Sequence, residues 1–329
     1  MNPPISILVP IYNVSSHIEQ CAHSLFCQTF WDIEYVFVND GTPDNSMLIL
    51  ERVMEQYPHR RGQVKIINHV FNRGLAAARN SAIDNSSGRY IIQVDSDDFV
   101  EPDFVEMLYS KAQETDADII VCDFFNESKR GYNVVSDAIF DDINQNRSSV
   151  IASKESHACV WNKLIKRELY NRCYRLPEGL NFGEDKYMVI QLYFLTDRIA
   201  KVNKPLYHYG CDNPTSFTLQ KRSRKHFENT FQCWDFLSLF LKERNADLAH
   251  QTLLNLEKVK RKASLMIATN QYAIRKEFAL KWYNEEIQHL SELKRGKRII
   301  TVLVRRRLFV AAHLYHYGVC LCHWVSSLF

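Results

Sequence analysis

The residues best suited to chemistry are acidic and close together. Asp95-Ser96-Asp97-Asp98 puts three carboxylates within four residues, directly after the apolar run Tyr90–Val94. Ionised carboxylates at that spacing repel one another unless a cation lies among them. An oxygen cluster without thiol or imidazole suits Mg²⁺ or Mn²⁺, which take one or two carboxylates and complete their shell from substrate phosphates. An acidic surface turn would carry the same letters, so the neighbourhood has to decide. Asp40 stands before Gly41, where a turn lets backbone approach a ligand; an Asx-type turn uses the same pair. In Asn72-Arg-Gly-Leu-Ala-Ala-Ala-Arg-Asn80, Gly74 opens a small-residue helix and Arg79 follows about one turn later. Arg79 either faces the acidic cluster or pairs with a structural carboxylate. Glu184-Asp185, after Gly183, opens a helix through Leu195, where negative charge is favoured by the helix N-terminus. Beyond that capping role, Asp185 is placed to act as general base for a hydroxyl nucleophile. Trp161-Asn-Lys-Leu164 is the remaining polar–aromatic group that stands out.

Positioning these residues requires strands that end where they begin. Ile5–Val9 is a β-branched apolar run stopped by Pro10, and Ile33–Val38, Val64–Ile67 and Tyr90–Val94 read as further strands. Between them, Ser15 or Ser16 caps a helix through about residue 28, and Asp44 or Asn45 caps a second carrying Met47, Leu48, Leu50, Val53 and Met54. Helices at 75–83 and about 103–115 follow, then an apolar stretch at Asp118–Cys122. This alternation predicts an α/β fold, a mostly parallel sheet with helices on both faces. Ligands of such sheets bind outside the carboxyl ends of the strands. Pro10-Ile-Tyr-Asn13, Asn39-Asp-Gly41 and Asp95–Asp98 all fall at those ends.

Several of these segments together, in this order, resemble family 2 glycosyltransferases, whose nucleotide-sugar half has the GT-A fold. The resemblance over residues 5–123 rests on Ile7-Leu-Val-Pro-Ile-Tyr-Asn13, Gln28-Thr-Phe30 before Ile33-Glu34, Val38-Asn-Asp-Gly41, Gly74-Leu-Ala-Ala-Ala-Arg-Asn80 and Asp95–Asp98. Trp161–Leu164, Gly183-Glu-Asp185 and the Tyr209…Ser216 stretch extend it to about residue 218. The resemblance implies that Pro10, Tyr12 and Asp40 hold the base and ribose. It implies that Asp95, with Ser96 and Arg79 beside it, positions the diphosphate, Asp97 acting through a divalent cation (Mn²⁺ or Mg²⁺). Asp185 matches the family's catalytic base, with Glu184 next to it, and Trp161 and Lys163 shape the acceptor side. The implied reaction moves one sugar, by default from a UDP-hexose, to a saccharide or lipid-linked saccharide hydroxyl in polysaccharide biosynthesis, with inversion. Two departures matter. Asn39 stands where the family often has Asp, and no Gln-x-x-Arg-Trp occurs, which argues against a processive synthase.

The 329-residue chain is 46% hydrophobic and 24% charged, an ordinary globular mix that excludes a disordered or collagen-like protein. No G-x-G-x-x-G follows the first strand, which argues against a dinucleotide oxidoreductase. The net charge of +3 hides a split: residues 221–329 hold 20 Lys+Arg against 9 Asp+Glu, and residues 1–220 hold 21 against 29. We therefore expect a transferase domain over 1–220 (nucleotide-sugar half about 1–123, acceptor half about 124–220) and a basic helical region over 221–329. In the latter, Phe227, Phe231, Trp234, Leu237 and Phe240 recur at helical spacing. Arg305-Arg-Arg307 precedes an apolar segment, 308–329, long enough at ~1.5 Å per residue to cross a bilayer. Its three histidines oppose a span, and an interfacial helix with a basic collar is favoured over packed core helices. Nine cysteines without a C-x-x-C pair, and an N-terminus without a basic–apolar leader, point to a cytoplasmic protein; the basic, apolar-ended tail places it at the inner face of the membrane, and no nucleic-acid partner is expected. The alternative is an inactive transferase fold serving as a membrane-associated adaptor.

Overall fold

A computed structural model describes residues 3–129, 131–210, 224–268, 298–299 and 302. Strand β1 (Ile5–Ile11) is buried along its whole length, as a continuous β-branched run must be when both faces of a sheet are covered. Helix α1 (Ile18–Phe26) follows, burying Ile18, Cys21, Ala22, Leu25 and Phe26 on one stripe. Then come β2 (Ile33–Asn39), α2 (Ser46–Gln56), β3 (Val64–Asn68), α3 (Leu75–Asn85), β4 (Tyr90–Gln93), the two-residue β5 (Phe99–Val100) and α4 (Phe104–Thr115). The second stretch runs β6 (Ile119–Ser128), β7 (Gly131–Val135), α5 (Ile143–Ala152), β8 (Lys163–Lys166), α6 (Arg167–Arg172), α7 (Glu184–Leu195) and β9 (Ile199–Gly210).

The strands form one sheet in the order β3-β2-β1-β4-β8-β6-β9-β5, with β7 alongside β6. From β3 to β4 every pairing is parallel. The expected mostly parallel sheet holds for this half only. Beyond β4 the sheet is mixed: β8 is antiparallel to both β4 and β6, β9 is parallel to β6, and β5 and β7 add antiparallel edges. The hairpin β6–β7 turns back directly, needing no crossover helix.

The order β2-β1-β4 means the chain leaves β1 to one side and returns on the other. Such a reversal opens a crevice at the carboxyl ends of the strands. Here those ends are Ile11, its register partner Asn39, and Gln93 with the turn after it. Two loops at this edge are tied together by Asp44. Its carboxylate accepts from the Ser15 amide (2.8 Å), the Thr42 hydroxyl (2.7 Å) and both the amide and hydroxyl of Ser46 (3.1 and 2.6 Å). Burial pushes this group upward, but the hydrogen bonds from Ser46, Thr42 and Ser15 outweigh it and hold Asp44 well below the usual carboxylate range. Asn45 occupies the N-cap of α2 without a side-chain capping bond, and α1 starts at Ile18 rather than after Ser15 or Ser16.

Packing divides the chain into two units, Met1–Leu219 and Gln220–Phe329. In the second, α8 (Arg224–Glu243) buries Phe227, Phe231, Trp234, Leu237 and Phe240. It meets α9 (Leu248–Ala268) through Lys258–Asp235 (2.8 Å) and through Lys262 over the Phe231 ring (4.6 Å). Among the described residues no helix is long and apolar enough to cross a membrane. The basic collar and the apolar segment 308–329 lie outside the described residues, as does Ser216.

Candidate active site

Gly74 precedes α3 with φ 90°, a conformation that glycine adopts without the Cβ clash other residues suffer. A Cβ there would also run into the side chain of Asn181. From this start, α3 carries Arg79 into the interior, where 2% of the residue is exposed. One guanidinium nitrogen donates to Gln93 Oε1 (2.7 Å) on β4 and the other to Asp95 Oδ1 (3.0 Å) in the turn beyond it. That second nitrogen is also 3.2 Å from Asp185 Oδ1 and 3.9 Å from Glu184 Oε1, at the first turn of α7. The two readings of Arg79 thus merge: it faces the acidic cluster and holds it together.

Two of those carboxylates are poised upward. Burial raises Glu184 above the ordinary carboxylate range, and the Asp185 charge adds to it; Arg79 opposes both. Burial likewise raises Asp185, with Arg79 pulling it back and Asp95 pushing it further. Asp185 Oδ1 is buried and, beyond its ion pair with Arg79, accepts no hydrogen bond among the described residues. An acceptor-only oxygen with a raised proton affinity is what a general base requires.

The acidic turn itself divides. Asp98 is buried, and its carboxylate accepts from the Tyr207 hydroxyl (2.7 Å) and the Gly210 amide (2.7 Å). Burial, with the Asp97 and Asp95 charges, pushes it well above the usual range. Asp95 and Asp97 are half-buried at the mouth of the crevice, with Ser96 buried between them. Among the described residues no three His, Cys, Asp or Glu side chains are grouped to hold an ion. One or two carboxylates at a strand end still match the donor set of Mg²⁺ or Mn²⁺ that shares substrate phosphates.

The remaining candidates are spread along the same edge. Pro10 is buried within β1, while Tyr12, just past it, is 44% exposed. Asp40 is buried; Oδ1 meets His69 Nδ1 (2.6 Å) and the Arg73 amide (2.9 Å), and Oδ2 accepts from the Gly74 amide (2.8 Å). Its carboxylate therefore ties residues 69–74, and with them the start of α3, to the end of β2. Gly41 (φ 65°) allows the approach: a Cβ would stand 2.7 Å from the Asn72 nitrogen. Trp161 lies nearly face to face with Tyr207 (4.4 Å between centroids) and Tyr209 (5.3 Å). Lys163 is wholly buried and bonds Asp137 Oδ2 (3.1 Å), the His157 carbonyl (2.9 Å) and Asn162 Oδ1 (2.8 Å). It supports the loop that carries Trp161 and does not present its ammonium at the surface. Burial pushes Asp137 up, but the Lys163 charge together with hydrogen bonds from His157 and Asn162 outweighs it and brings the carboxyl down to about 2.

Sequence reasoning missed His69, Asp137, Asn181 and Tyr207. His69 was within reach of it, because Asn68-His69 follows a strand as the other polar clusters do. Asp137 and Asn181 fall in irregular segments whose partners are distant in sequence and leave no periodic trace.

A family model described as "Glycosyl transferase family 2" matches residues 6–173. The chain belongs to glycosyl transferase family 2. It is 37% identical over 216 residues to glycosyltransferase GlyA of Streptococcus pneumoniae, a match covering 62% of this chain and 30% of GlyA. The chain thus spans less than a third of that relative. In structure it resembles TarS 1-349 of S. aureus, solved in complex with UDP-GlcNAc (TM-score 0.73, 18% identity, 98% of this chain and 92% of TarS 1-349). It also resembles the mannosyltransferase PcManGT of Pyrobaculum calidifontis, solved with GDP-Man and Mn²⁺ (TM-score 0.55, 15% identity, 96% and 88%). At those identities the two structures speak for the fold, which is the GT-A arrangement of family 2.

Proposed function

We propose that this family 2 chain transfers a single hexose from a nucleoside-diphosphate sugar, with UDP as the first nucleotide to test, to a hydroxyl of a saccharide or lipid-linked saccharide. The placement is polysaccharide biosynthesis at the inner face of the membrane. One observation carries the reading: Arg79 gathers Asp95 from the turn after β4 and Glu184 and Asp185 from α7, at the carboxyl-end edge where such sheets bind ligands.

In this reading Tyr12 and the loop held by Asp40 receive the base and ribose, and Asp95 and Ser96 orient the diphosphate. Asp97 would hold a divalent cation, which offsets negative charge on the leaving diphosphate. The acceptor hydroxyl oxygen attacks the anomeric carbon while its proton passes to Asp185. The carbon–oxygen bond to the diphosphate breaks, and the electron pair leaves with the nucleoside diphosphate. A single in-line displacement inverts the anomeric carbon; a retained configuration in the product, read by NMR, overturns that step. Arg79 keeps Asp185 aligned and limits the upward push that burial exerts on it.

The test is thermal denaturation of the full chain with UDP, GDP, CMP or NAD, each with Mn²⁺ or with EDTA. Ligand at about a hundred times its Kd stabilises by roughly 2.7 kcal/mol. A nucleoside diphosphate should raise Tm with Mn²⁺ and lose that effect in Asp97→Ala. A well-folded sample that responds to none of them would favour the inactive, membrane-associated adaptor.

A further inference from the structure

The Asp95–Asp98 turn is held within itself by one backbone bond, Asp98 N–H to the Asp95 carbonyl (3.1 Å). Two further grips come from β9. The Tyr207 hydroxyl donates to Asp98 Oδ2 (2.7 Å) and accepts from the Asp95 amide (3.1 Å), so a single oxygen holds both ends of the turn. Three residues on, the Gly210 amide donates to Asp98 Oδ1 (2.7 Å), and a Cβ at Gly210 would stand 3.3 Å from the Asp97 carbonyl oxygen.

The Tyr207 ring is completely buried, its face on Trp161 at 4.4 Å and Phe104 at its edge, 6.1 Å away. A phenylalanine would fill that space equally well. A hydroxyl buried this deeply costs free energy unless it is hydrogen-bonded. Both of its bonds go to the acidic turn, so the oxygen serves the turn and the ring serves the packing.

We infer that Tyr207 is a positioning residue that couples Trp161, on the acceptor side, to the Asp95–Asp98 turn and so sets the affinity of the site for a nucleoside diphosphate. This rests on the donor reading above. Asp98 is the intermediary: its carboxylate faces Tyr207 and Gly210 rather than the crevice, which explains a third carboxylate in a turn where a cation needs one or two.

The test is calorimetric titration of UDP, with GDP in parallel, into the full chain in the presence of Mn²⁺. Wild type is compared with Tyr207→Phe, Asp98→Ala and the double variant. Losing the buried Tyr207–Asp98 hydrogen bond should weaken nucleotide binding about tenfold in either single variant. If both residues act through one bond, the double variant is no weaker than the poorer single. Trp161→Leu, which removes the ring under Tyr207, should shift affinity in the same direction. Wild-type affinity in Tyr207→Phe overturns the coupling and leaves the donor reading intact, and additive losses overturn it as well. Wild type that binds neither nucleotide overturns both. Should Tyr207→Phe fail to fold, Asp98→Ala decides alone, since unchanged affinity there removes the intermediary.

Discussion

At the scale of single residues, the site is a balance of buried charge. Arg79 faces Asp95, Glu184 and Asp185, and burial costs more than one cation returns, so Glu184 and Asp185 are both raised. The sign follows directly. A carboxylate with a raised folded pKa is favoured protonated, so its contribution to stability falls as pH climbs from the unfolded value towards the folded one. Glu184→Gln should therefore raise Tm near pH 8 by about 2–4 °C, the shift that 1 kcal/mol gives in a domain of this size, and leave it unchanged near pH 4. Equal shifts at both pH values would contradict this origin. Asp185→Asn should cut kcat by about 10²–10⁴-fold, as loss of a general base does, with little change in donor binding. The acid limb of the wild-type rate profile should lie above the ordinary carboxylate range, because the base must be ionised to accept the acceptor proton. Lys163 offers a second charge test. Lys163→Met leaves Asp137 buried and uncompensated and should cost about 3–5 kcal/mol. Lys163→Met with Asp137→Leu should recover part of that loss in chemical denaturation.

At the scale of elements, the site depends on where helices begin. The start of α3 is set by Gly74, by the Asp40 carboxylate on its amide, and by Asn181 packed where a Cβ would go. Gly74→Ala meets both a φ of 90° and the Asn181 side chain. We expect it to destabilise by more than the ~1 kcal/mol typical of a strained φ alone. Asn181→Gly in the same chain should return the steric part and leave the backbone part. The segment motifs at 7–13, 38–41, 74–80 and 95–98 were legible because strands of β-branched residues end abruptly in polar, turn-forming residues. The helix caps were less legible. Asp44 ties two loops through four hydrogen bonds, a role that no single-helix pattern encodes.

For the whole molecule, the parallel half came from alternation, and the mixed half did not. Strands β6 to β9 pair through hairpins and long returns whose partners lie dozens of residues apart. We propose that Met1–Leu219, a unit by its own packing, folds alone. A fragment of that length should unfold cooperatively and respond to nucleotide as the full chain does; an aggregated or non-cooperative fragment would refute it. The basic remainder, 20 Lys+Arg against 9 Asp+Glu, is the proposed membrane-facing part. The 329-residue chain should sediment with anionic vesicles and release as salt rises, since such attraction is screened within about 10 Å at 0.1 M.

The sequence by itself determined the family, the parallel half of the sheet and the acidic groups at its strand ends, because strand ends and catalytic motifs are local and written in consecutive residues. It left open which carboxylate faces the crevice and which faces inward. Asp95 and Asp98 are three residues apart in one turn, yet one meets Arg79 from α3 and the other meets Tyr207 from β9. Only tertiary structure separates them, because the partner that claims each charge comes from a different part of the chain.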